Sequence, residues 1–532
     1  MPKVVLCGHD FIYPVCDIVR MYYEPVSVKE SSVTGGNDGI VIFSIIDNDF
    51  ITTKWVDSGV IHEIKDPVTG KNVKREVKRQ LYQAFVEITG ISFPWGSLTG
   101  IRPTIIANEC KDEPSRLEKY YFVSKEKAIL ALETARNEKS VQMKLPPELI
   151  HCYIGIPFCM SRCLYCSFVS QEFQQLKSWI PKYVDTLIKE ISKCLPLVEK
   201  NLQSIYIGGG TPTSLPDDLF EKLLQEISKH QSGDYFTEYT IEAGRADSIT
   251  DNKLEIMKRY GVNRICINPQ TLQDKTLIRI GRNHTSLQVQ EAYAIARKFE
   301  FSAINMDLIA GLPGEVFEDF KFSLDKLLEW NPENITIHTL SLKRTSALAK
   351  MIKESTFANK ESTLTDNEST ITDLDNSLEI SSIKSKNNID NNENMPYDST
   401  MINSSNDILD KKTDLRSFHM PNQQISDMIE YSIKELHNNG YHPYYLYRQK
   451  DMVGGHENVG YSKSGHECLY NVAMMCDQNS VIALGAGGMS KKIIMTEQGP
   501  KLERLPNIKD ILSYMKKIDE LINKKQIFFE GI

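Results

Sequence analysis

Between His151 and Leu340 the sequence alternates short runs rich in Ile, Val and Tyr with stretches whose apolar residues repeat at helical spacing. The short runs predict six strands, at Cys152–Ile156, Ser204–Ile207, Tyr239–Ala243, Arg264–Asn268, Ala303–Leu308 and Ile335–Leu340. Strands that alternate with helices in this way run parallel, and the helices pack outside them. The pattern therefore predicts an α/β fold, an incomplete parallel (β/α)6 barrel, whose functional groups lie at the carboxyl ends of the strands.

Weaker patterns divide the rest of the chain. More than half of residues 361–410 are Ser, Thr, Asn or Asp, and such a segment buries too little apolar surface to offset its ordering entropy. We therefore predict five regions: an N-terminal α+β domain at 1–95, a helical connector at 96–148, the barrel at 149–345, a disordered polar insertion at 350–415, and a C-terminal, mostly helical or mixed domain at 416–532 that covers the substrate.

Composition excludes several classes of protein. The 532 residues include 62 Lys and Arg against 70 Asp and Glu, so the net charge of −8 argues against a non-specific nucleic-acid binder. No apolar stretch reaches the roughly 18 residues that a membrane span needs, and the first residues lack the order of a secretory signal. We expect a cytoplasmic protein with no nucleic-acid or membrane partner. Eleven cysteines in such a chain argue against a disulfide framework.

Three of the cysteines are bunched directly after the first predicted strand. Cys159, Cys163 and Cys166 stand in IGIPFCMSRCLYCSF, at C-x3-C-x2-C spacing. Thiolates are soft ligands that suit zinc or an iron–sulfur cluster. A structural zinc site needs a fourth ligand, for which His151 or Cys152 is the nearest candidate. A cluster held by three cysteines instead leaves one iron open to a further ligand, and both possibilities stand at this point.

Two other kinds of motif lie at predicted strand ends. Gly208, Gly209 and Gly210 follow the second strand and lack the Cβ that would keep a ligand away from their amides. Glu242 in TIEAGR and Asp307 in NMDLIAGLPGE lie within Ile-rich runs, where a carboxylate is costly to bury without a partner. That partner is either a bound cationic ligand or a nearby arginine, and Arg245 and Arg264 are the candidates.

The cysteine triplet, with Tyr165 before its last cysteine, resembles the signature of the radical S-adenosylmethionine (radical SAM) enzymes. Together IPFCMSRCLYC, GGGTPT, TIEAGR and NMDLIAGLPGE resemble the oxygen-independent coproporphyrinogen III dehydrogenase family. LTGIRPT, PYYLYRQKDMVGGHENVGYS and IALGAGG extend the likeness to its HemZ-like branch. The resemblance implies a radical SAM barrel that binds a [4Fe–4S] cluster and S-adenosyl-L-methionine.

The resemblance also implies roles for individual residues. The metal ligands would be Cys159, Cys163 and Cys166. The residues that contact S-adenosylmethionine would be Tyr153, Tyr165, Gly209, Gly210, Thr211, Glu242, Gln270, Arg282 and Asp307. The resemblance does not indicate a catalytic side chain beyond these.

The implied reaction is the conversion of coproporphyrinogen III to protoporphyrinogen IX in haem biosynthesis. A 5′-deoxyadenosyl radical would remove a hydrogen from the β-carbon of a propionate, and loss of carbon dioxide and one electron would leave a vinyl group. The partners would be the porphyrinogen substrate and an unidentified low-potential electron donor. Propionate carboxylates call for Arg or Lys, and the candidates are Lys343, Arg344, Arg448 and Lys450.

Two alternatives to the enzyme remain open on the sequence. Cys166 is followed by Ser167 and Phe168, without the further cysteine of the best-characterised dehydrogenases, and this ending resembles the haem-chaperone branch. In a chaperone without dehydrogenase activity, His456 and His466 would be candidate axial ligands of haem. The other alternative is a non-catalytic module stabilised by zinc.

Overall fold

The computed structural model describes the chain in several stretches. These are residues 3–23, 26–29, 32–35, 39–68, 72–111, 113–167, 171–172, 176–343, 345–352, 422–449, 452–497 and 499–531. The predicted insertion at 350–415 lies almost entirely outside the described residues, and so do Phe168, Arg344 and Lys450. Of the helices that are described, none is both long enough and apolar enough to cross a membrane.

The N-terminal part is built around a mixed sheet. Its strands, in the order β2-β3-β1-β4-β5-β6, are β1 (Lys3–Cys7), β2 (Val26–Lys29), β3 (Ser32–Gly35), β4 (Val41–Ile46), β5 (Phe50–Asp57) and β6 (Val60–Pro67). Two helices, α1 (Ile12–Tyr22) and α2 (Val73–Thr89), pack together and against this sheet. The expected α+β character of this part is thus observed, although the sequence indicated only β4 and α2.

Three helices lie between the N-terminal sheet and the barrel, and the connector bounds at 96–148 remain a prediction. The helices are α3 (Pro103–Glu109), α4 (Pro114–Tyr121) and α5 (Lys125–Gln142). Ser124 caps the amino end of α5 by accepting a hydrogen bond from the amide of Lys127. The buried residues of α5 include the small Ala128, Ala131 and Ala135.

All six predicted parallel strands are present and adjacent in chain order. They are β7 (Ile150–Ile156), β10 (Leu202–Gly209), β11 (Glu238–Gly244), β12 (Arg264–Ile267), β13 (Ala303–Ala310) and β14 (Asn334–Thr339). Two short strands, β8 (Phe158–Cys159) and β9 (Gln171–Glu172), pair with each other beside the cysteine loop. The predicted α/β architecture is therefore confirmed, and its parallel strands bring their carboxyl ends to one rim.

Helices cover the outside of these strands. They are α6 (Ile180–Cys194), α7 (Asp217–Ser228), α8 (Asp251–Arg259), α9 (Asp274–Arg279), α10 (Ser286–Lys298) and α11 (Phe317–Trp330). In α6 the buried residues Val184, Leu187 and Ile191 recur at helical spacing and form one apolar stripe against the sheet. The spacing predicted α11 at its observed bounds, whereas the short α9 was not indicated.

The C-terminal part adds strands to both edges of the same sheet. Its strands are β15 (His442–Tyr447), β16 (Asn458–Ser462), β17 (Ser480–Leu484), β18 (Met489–Thr496) and β19 (Gly499–Pro506). Its helices are α12 (Asn422–Asn438), α13 (Leu469–Cys476), α14 (Ile511–Lys516) and α15 (Ile518–Phe529). β17 runs parallel beside β7, and β16 runs antiparallel beside β14. The division of the chain at 416 remains a prediction, since these strands share the sheet of the barrel.

A buried ion pair connects the barrel to the C-terminal helices. Lys525 of α15 lies 2.7 Å from Glu190 of α6, and both side chains are fully buried. Glu190 also accepts hydrogen bonds from the Gly485 amide at 2.8 Å and from the Tyr514 hydroxyl at 2.6 Å. Such a network stabilises the fold only while every member is present, because an unpaired buried charge is strongly unfavourable.

We predict that Lys525→Met destabilises the protein by about 3–5 kcal/mol, because it leaves the Glu190 carboxylate buried without its cation. The double variant Glu190→Gln/Lys525→Met removes both charges and keeps an acceptor for the Tyr514 hydroxyl, so it recovers most of the loss. Thermal unfolding of the three proteins measures the effect. Equal losses in the single and double variants would contradict this account.

Candidate active site

The rim formed by the strand ends opens into a cavity of about 660 Å³. A volume of this size suits a cofactor or a drug-sized ligand. Twelve predicted site residues line it: Tyr153, Cys159, Cys163, Tyr165, Cys166, Gly209, Gly210, Thr211, Glu242, Gln270, Arg282 and Asp307. The structure thus brings the whole predicted set together, while the role of each residue stays a prediction.

The cysteine loop is held in place by bonds to the segment that follows α9. The Leu164 amide donates to the Ile280 carbonyl at 3.0 Å, and the Ser161 hydroxyl donates to the Gly281 carbonyl at 2.7 Å. Arg245, at the end of β11, donates to the Ser161 hydroxyl at 2.7 Å. These contacts fix the loop backbone between the segment after α9 and the end of β11, with its thiols on the cavity wall.

The three thiols are soft ligands that line one cavity, and such a set fits an iron–sulfur cluster. All three cysteines are partly exposed to the cavity. Among the described residues, no three His, Cys, Asp or Glu side chains lie close enough together to share one metal ion. In a [4Fe–4S] cluster each cysteine binds a different iron, so the sulfurs need to surround a group of atoms rather than meet at one atom.

The two candidates for a fourth zinc ligand face away from the loop. The His151 ring is fully buried, with Nδ1 2.7 Å from the Ser204 hydroxyl, and Cys152 lies in the apolar core. Neither residue is among those that line the cavity. A closed zinc site that uses either of them would require β7 to rearrange.

The glycine-rich segment at the end of β10 needs its glycines for two reasons. A Cβ on Gly208 would lie 2.7 Å from the Glu242 carboxyl carbon, so a side chain there would displace this acid. Gly209 has φ +105°, in a region that favours glycine. The Gly210 and Thr211 amides then donate to the carbonyls of Ile156 and Phe158, both at 2.7 Å, which ties the segment to the start of the cysteine loop.

Glu242 and Asp307 have neutral hydrogen-bond partners. The Tyr206 hydroxyl donates to Glu242 Oε1 at 2.6 Å, and the Asn305 amide donates to Asp307 Oδ1 at 2.7 Å. His338 Nε2 lies 3.6 Å from Asp307 Oδ2. Tyr206 on β10 therefore orients Glu242, and Asn305 on β13 orients Asp307. Both carboxyl groups lie in the wall of the cavity.

The arginines considered as partners of these acids bind elsewhere. Arg245 forms a two-point pair with Asp247, with distances of 3.0 and 2.8 Å. Arg264 lies 3.6 Å from Glu238. Arg245 and Arg264 therefore pair with other acids, and the predicted alternative of salt bridges to Glu242 and Asp307 is not observed. Glu242 and Asp307 remain available to a cationic ligand.

Burial dominates the electrostatics of Glu242. It raises the pKa of Glu242 to about 7, with a further contribution from the nearby Asp307 carboxylate, while the hydrogen bond from Tyr206 partly opposes this. At neutral pH the carboxyl group is therefore close to half-protonated in the absence of a ligand. A cation bound next to it would favour the ionised form.

Gln270 and Arg282 occupy constrained positions on the rim. Gln270 has φ +69°, and its amide donates to the Asp307 carbonyl at 2.9 Å, so the end of β12 is tied to β13. The Arg282 guanidinium donates to the Asn268 carbonyl and lies within hydrogen-bonding reach of Cys163 and Tyr165. Both side chains are buried in the wall of the cavity.

The aromatic wall of the cavity was not predicted from the sequence. Tyr206 stacks on Tyr470 with ring centroids 4.6 Å apart, and both rings stack more loosely on Tyr153. Tyr445 and Tyr447 of β15 line the cavity as well. The alternation of Tyr206 with Gly208 along β10 could have indicated the first of these, because residues two apart share a face.

Of the four described residues that the sequence proposed for propionate or haem binding, three do not line the cavity. Lys343 lines the cavity, but Arg448 is buried away from it and donates to the carbonyls of Leu98 and Gly455. His456 bonds to the Ser426 hydroxyl at 3.1 Å, and His466 bonds to the Ser302 carbonyl at 2.9 Å. Neither histidine is among the cavity-lining residues, so both have structural roles in this state.

Comparison with known proteins agrees with this architecture. Residues 153–327 match the Radical SAM superfamily, which defines the class of the barrel and its site. The chain is 31% identical over 486 residues to the oxygen-independent coproporphyrinogen-III oxidase-like protein HemZ of Bacillus subtilis (strain 168), and the match covers 87% of this chain and 83% of that protein. The chain therefore belongs to the HemZ-like family of radical SAM proteins, as its motifs suggested.

Two other similarities cover less of the chain or are weaker. The heme chaperone HemW of Bacillus subtilis (strain 168) is 32% identical over 205 residues, which are 38% of this chain and 53% of HemW. The structure of coproporphyrinogen III oxidase (HemN) from Escherichia coli superposes with a TM-score of 0.47, at 19% identity and over 73% of both chains.

We predict that Glu242→Gln raises the thermal stability of the protein without S-adenosylmethionine more at pH 8 than at pH 5. Folding raises the pKa of this carboxyl group to about 7. The folded state therefore becomes less stable as the pH rises from the pKa of the group in the unfolded chain toward 7. The variant lacks this penalty and should gain up to about 3 kcal/mol at pH 8.

Calorimetric midpoints of both proteins across this pH range measure the difference. Burial also raises the pKa of Glu315 to about 7, but that residue is the same in both proteins and cancels in the comparison. A difference in midpoint that stays constant with pH would contradict the raised pKa.

Proposed function

We propose that the protein is an oxygen-independent coproporphyrinogen III dehydrogenase of haem biosynthesis, a radical SAM oxidoreductase of the cytoplasm. In this proposal Cys159, Cys163 and Cys166 hold a [4Fe–4S] cluster. When bound, the cluster and S-adenosylmethionine supply the means to remove a hydrogen atom from the β-carbon of a propionate, after which loss of carbon dioxide and one electron leaves a vinyl group. The electron that starts each cycle comes from a low-potential donor not yet identified.

The protein's own task in this reaction is to bind, to orient and to exclude water. The Gly209 and Gly210 backbone and Thr211 lie next to the cysteine loop, where they can hold the amino-acid end of S-adenosylmethionine. Glu242 and Asp307 both line the cavity. Their carboxylates can accept hydrogen bonds from the ribose hydroxyls of S-adenosylmethionine and can attract its positive charge. The stacked tyrosines form an apolar wall that keeps water from the reacting carbon.

One observation carries the proposal: three cysteines, a glycine segment and two carboxylates from four different strand ends face one cavity. A purely structural metal site would not need acids without cationic partners or an adjoining space of about 660 Å³. The similarity to HemZ over most of the chain supports the same conclusion.

A haem chaperone is the second candidate. Its specific support is that Cys166 is followed by Ser167 and Phe168, whereas the best-characterised dehydrogenases carry a further cysteine two residues after the third. The match to HemW, in the part of the chain that aligns with it, agrees with this candidate. Such a protein would keep the cluster but bind haem without converting a porphyrinogen.

We predict that the protein purified without oxygen contains about four irons with labile sulfide, and that Cys163→Ala loses most of both. Cys266→Ala is the matched control, because this thiol also lines the cavity but lies on β12, away from the loop. Absorption spectra and iron and sulfide analysis measure the result. A colourless, zinc-containing wild-type protein would overturn the cluster and the reaction together.

We predict that the reduced protein, given S-adenosylmethionine and coproporphyrinogen III without oxygen, forms vinyl product and carbon dioxide. Mass spectrometry of the extracted porphyrins detects the loss of each carboxyl group. Cys163→Ala should be inactive because it lacks the intact cluster. Tight haem binding with methionine release and no vinyl product would favour the chaperone instead.

A further inference from the structure

The cavity wall contains buried polar atoms that make no hydrogen bond to the protein. Among the described residues these are Thr240 Oγ1, Arg264 Nε, Asn268 Oδ1 and Arg282 Nε. More than nine in ten buried polar groups in folded proteins are satisfied. Of fifteen such atoms among the described residues, these four belong to residues that line one cavity, where a bound molecule can supply the missing partners.

These atoms lie at two depths. Asn268 and Arg282 belong to the rim, beside the predicted cofactor residues. Thr240 and Arg264 are register partners on β11 and β12. Thr240 precedes Glu242 by two residues on the same strand, so it lies roughly 7 Å deeper in the barrel. We call the deeper part, lined by Thr240, Arg264, Tyr444 and Asn471, the inner end.

Arg264 is the cationic group of the inner end, and its hydrogen-bonding capacity is only partly used. The residue is 8% exposed, and its Nη2 donates to Asn334 Oδ1 and to the His466 carbonyl, both at 2.9 Å. These two bonds fix the guanidinium in place. They leave Nε, in a side chain that faces the cavity, without a hydrogen-bond partner.

The acid nearest to Arg264 is engaged elsewhere. Glu238 lies 3.6 Å from Arg264 Nε, too far for a hydrogen bond. Its oxygens accept instead from the Leu469 amide at 2.8 Å and the Tyr470 amide at 3.0 Å, at the start of α13. Glu238 therefore offsets part of the charge of Arg264 without occupying its donors.

Thr240 gives the second, independent indication. Thr240 is 2% exposed, and its hydroxyl has no hydrogen-bond partner in the protein. Burying a hydroxyl without a hydrogen bond is unfavourable. Valine has almost the same shape and would avoid that cost, so the hydroxyl is explained if it donates to a ligand.

We propose that the inner end is a carboxylate-binding subsite in which Arg264 and Thr240 hold one propionate arm of the porphyrinogen. This rests on the proposed function and names residues that bind its substrate. Arg264 supplies a charge-assisted hydrogen bond and Thr240 a neutral one. Because Glu238 already offsets part of the positive charge, a singly charged carboxylate suits the subsite better than a phosphate does.

The test compares two probes with the cluster-loaded full-length protein. Coproporphyrin III carries four carboxylates, and its tetramethyl ester carries none. Fluorescence quenching gives the affinity of each. Wild-type protein should prefer the acid, and Arg264→Gln should lose about tenfold or more of its affinity for the acid, with little change for the ester.

Thr240→Val keeps the test valid if Arg264→Gln fails to fold. It should leave thermal stability unchanged or higher, and yet weaken the binding of coproporphyrin III several-fold. Arg297→Gln is a matched control, because this arginine pairs with Glu333 outside the cavity. It should keep the affinities for both probes.

The outcomes separate this inference from the function on which it rests. If wild-type protein binds acid and ester equally, or both variants keep the preference for the acid, the inner end holds only water and the inference is wrong. The vinyl-product assay can still succeed in that case. If wild-type protein binds neither probe and forms no vinyl product, the proposed function fails as well.

Discussion

The common direction of six adjacent strands is the constraint on which the site depends. Because β7 and β10 to β14 are parallel and follow one another in the sheet, each connection that leaves a strand begins at the same rim. The cysteine loop leaves β7 there, the glycine segment ends β10, and Glu242 and Asp307 lie near the ends of β11 and β13. Residues far apart in sequence thus meet without any long ordered loop. Arg245, which directly follows β11 and bonds to Ser161, shows how the end of one strand fixes the loop that leaves another.

Periodicity allowed much of this arrangement to be predicted. Strands with both faces covered read as continuous Ile- and Val-rich runs, and α11 has an apolar spacing clear enough to give its observed bounds. The pairing of strands across the sheet could not be predicted in the same way. The residues of β15 (His442–Tyr447) do not indicate that its partner is β16. For the same reason Arg264 was considered for Glu242 or Asp307, whereas the fold places Glu238 beside it.

The charges of the cavity are arranged by depth. At the rim, Glu242 and Asp307 are held by neutral donors, so their negative charge is available to a ligand. In the inner end, neutral acceptors hold Arg264, and Glu238 lies 3.6 Å away without a hydrogen bond to it. Part of the positive charge of Arg264 is therefore available to a ligand. The rim therefore favours a cation and the inner end an anion. A sulfonium cofactor and a carboxylate substrate match this order, and the reverse order would place each beside a like charge.

This arrangement also couples the two binding events. A cation at the rim favours ionised Glu242, so near pH 7 its binding releases part of a proton. Once bound, it attracts an anion in the inner end by about 1.5 kcal/mol, for charges on the order of 10 Å apart and an effective dielectric constant near 20. By linkage, the anion strengthens the binding of the cation by the same factor, roughly tenfold. Cofactor and substrate would therefore accumulate together in the cavity, and the protein would hold a reactive cofactor chiefly when a substrate is present to react.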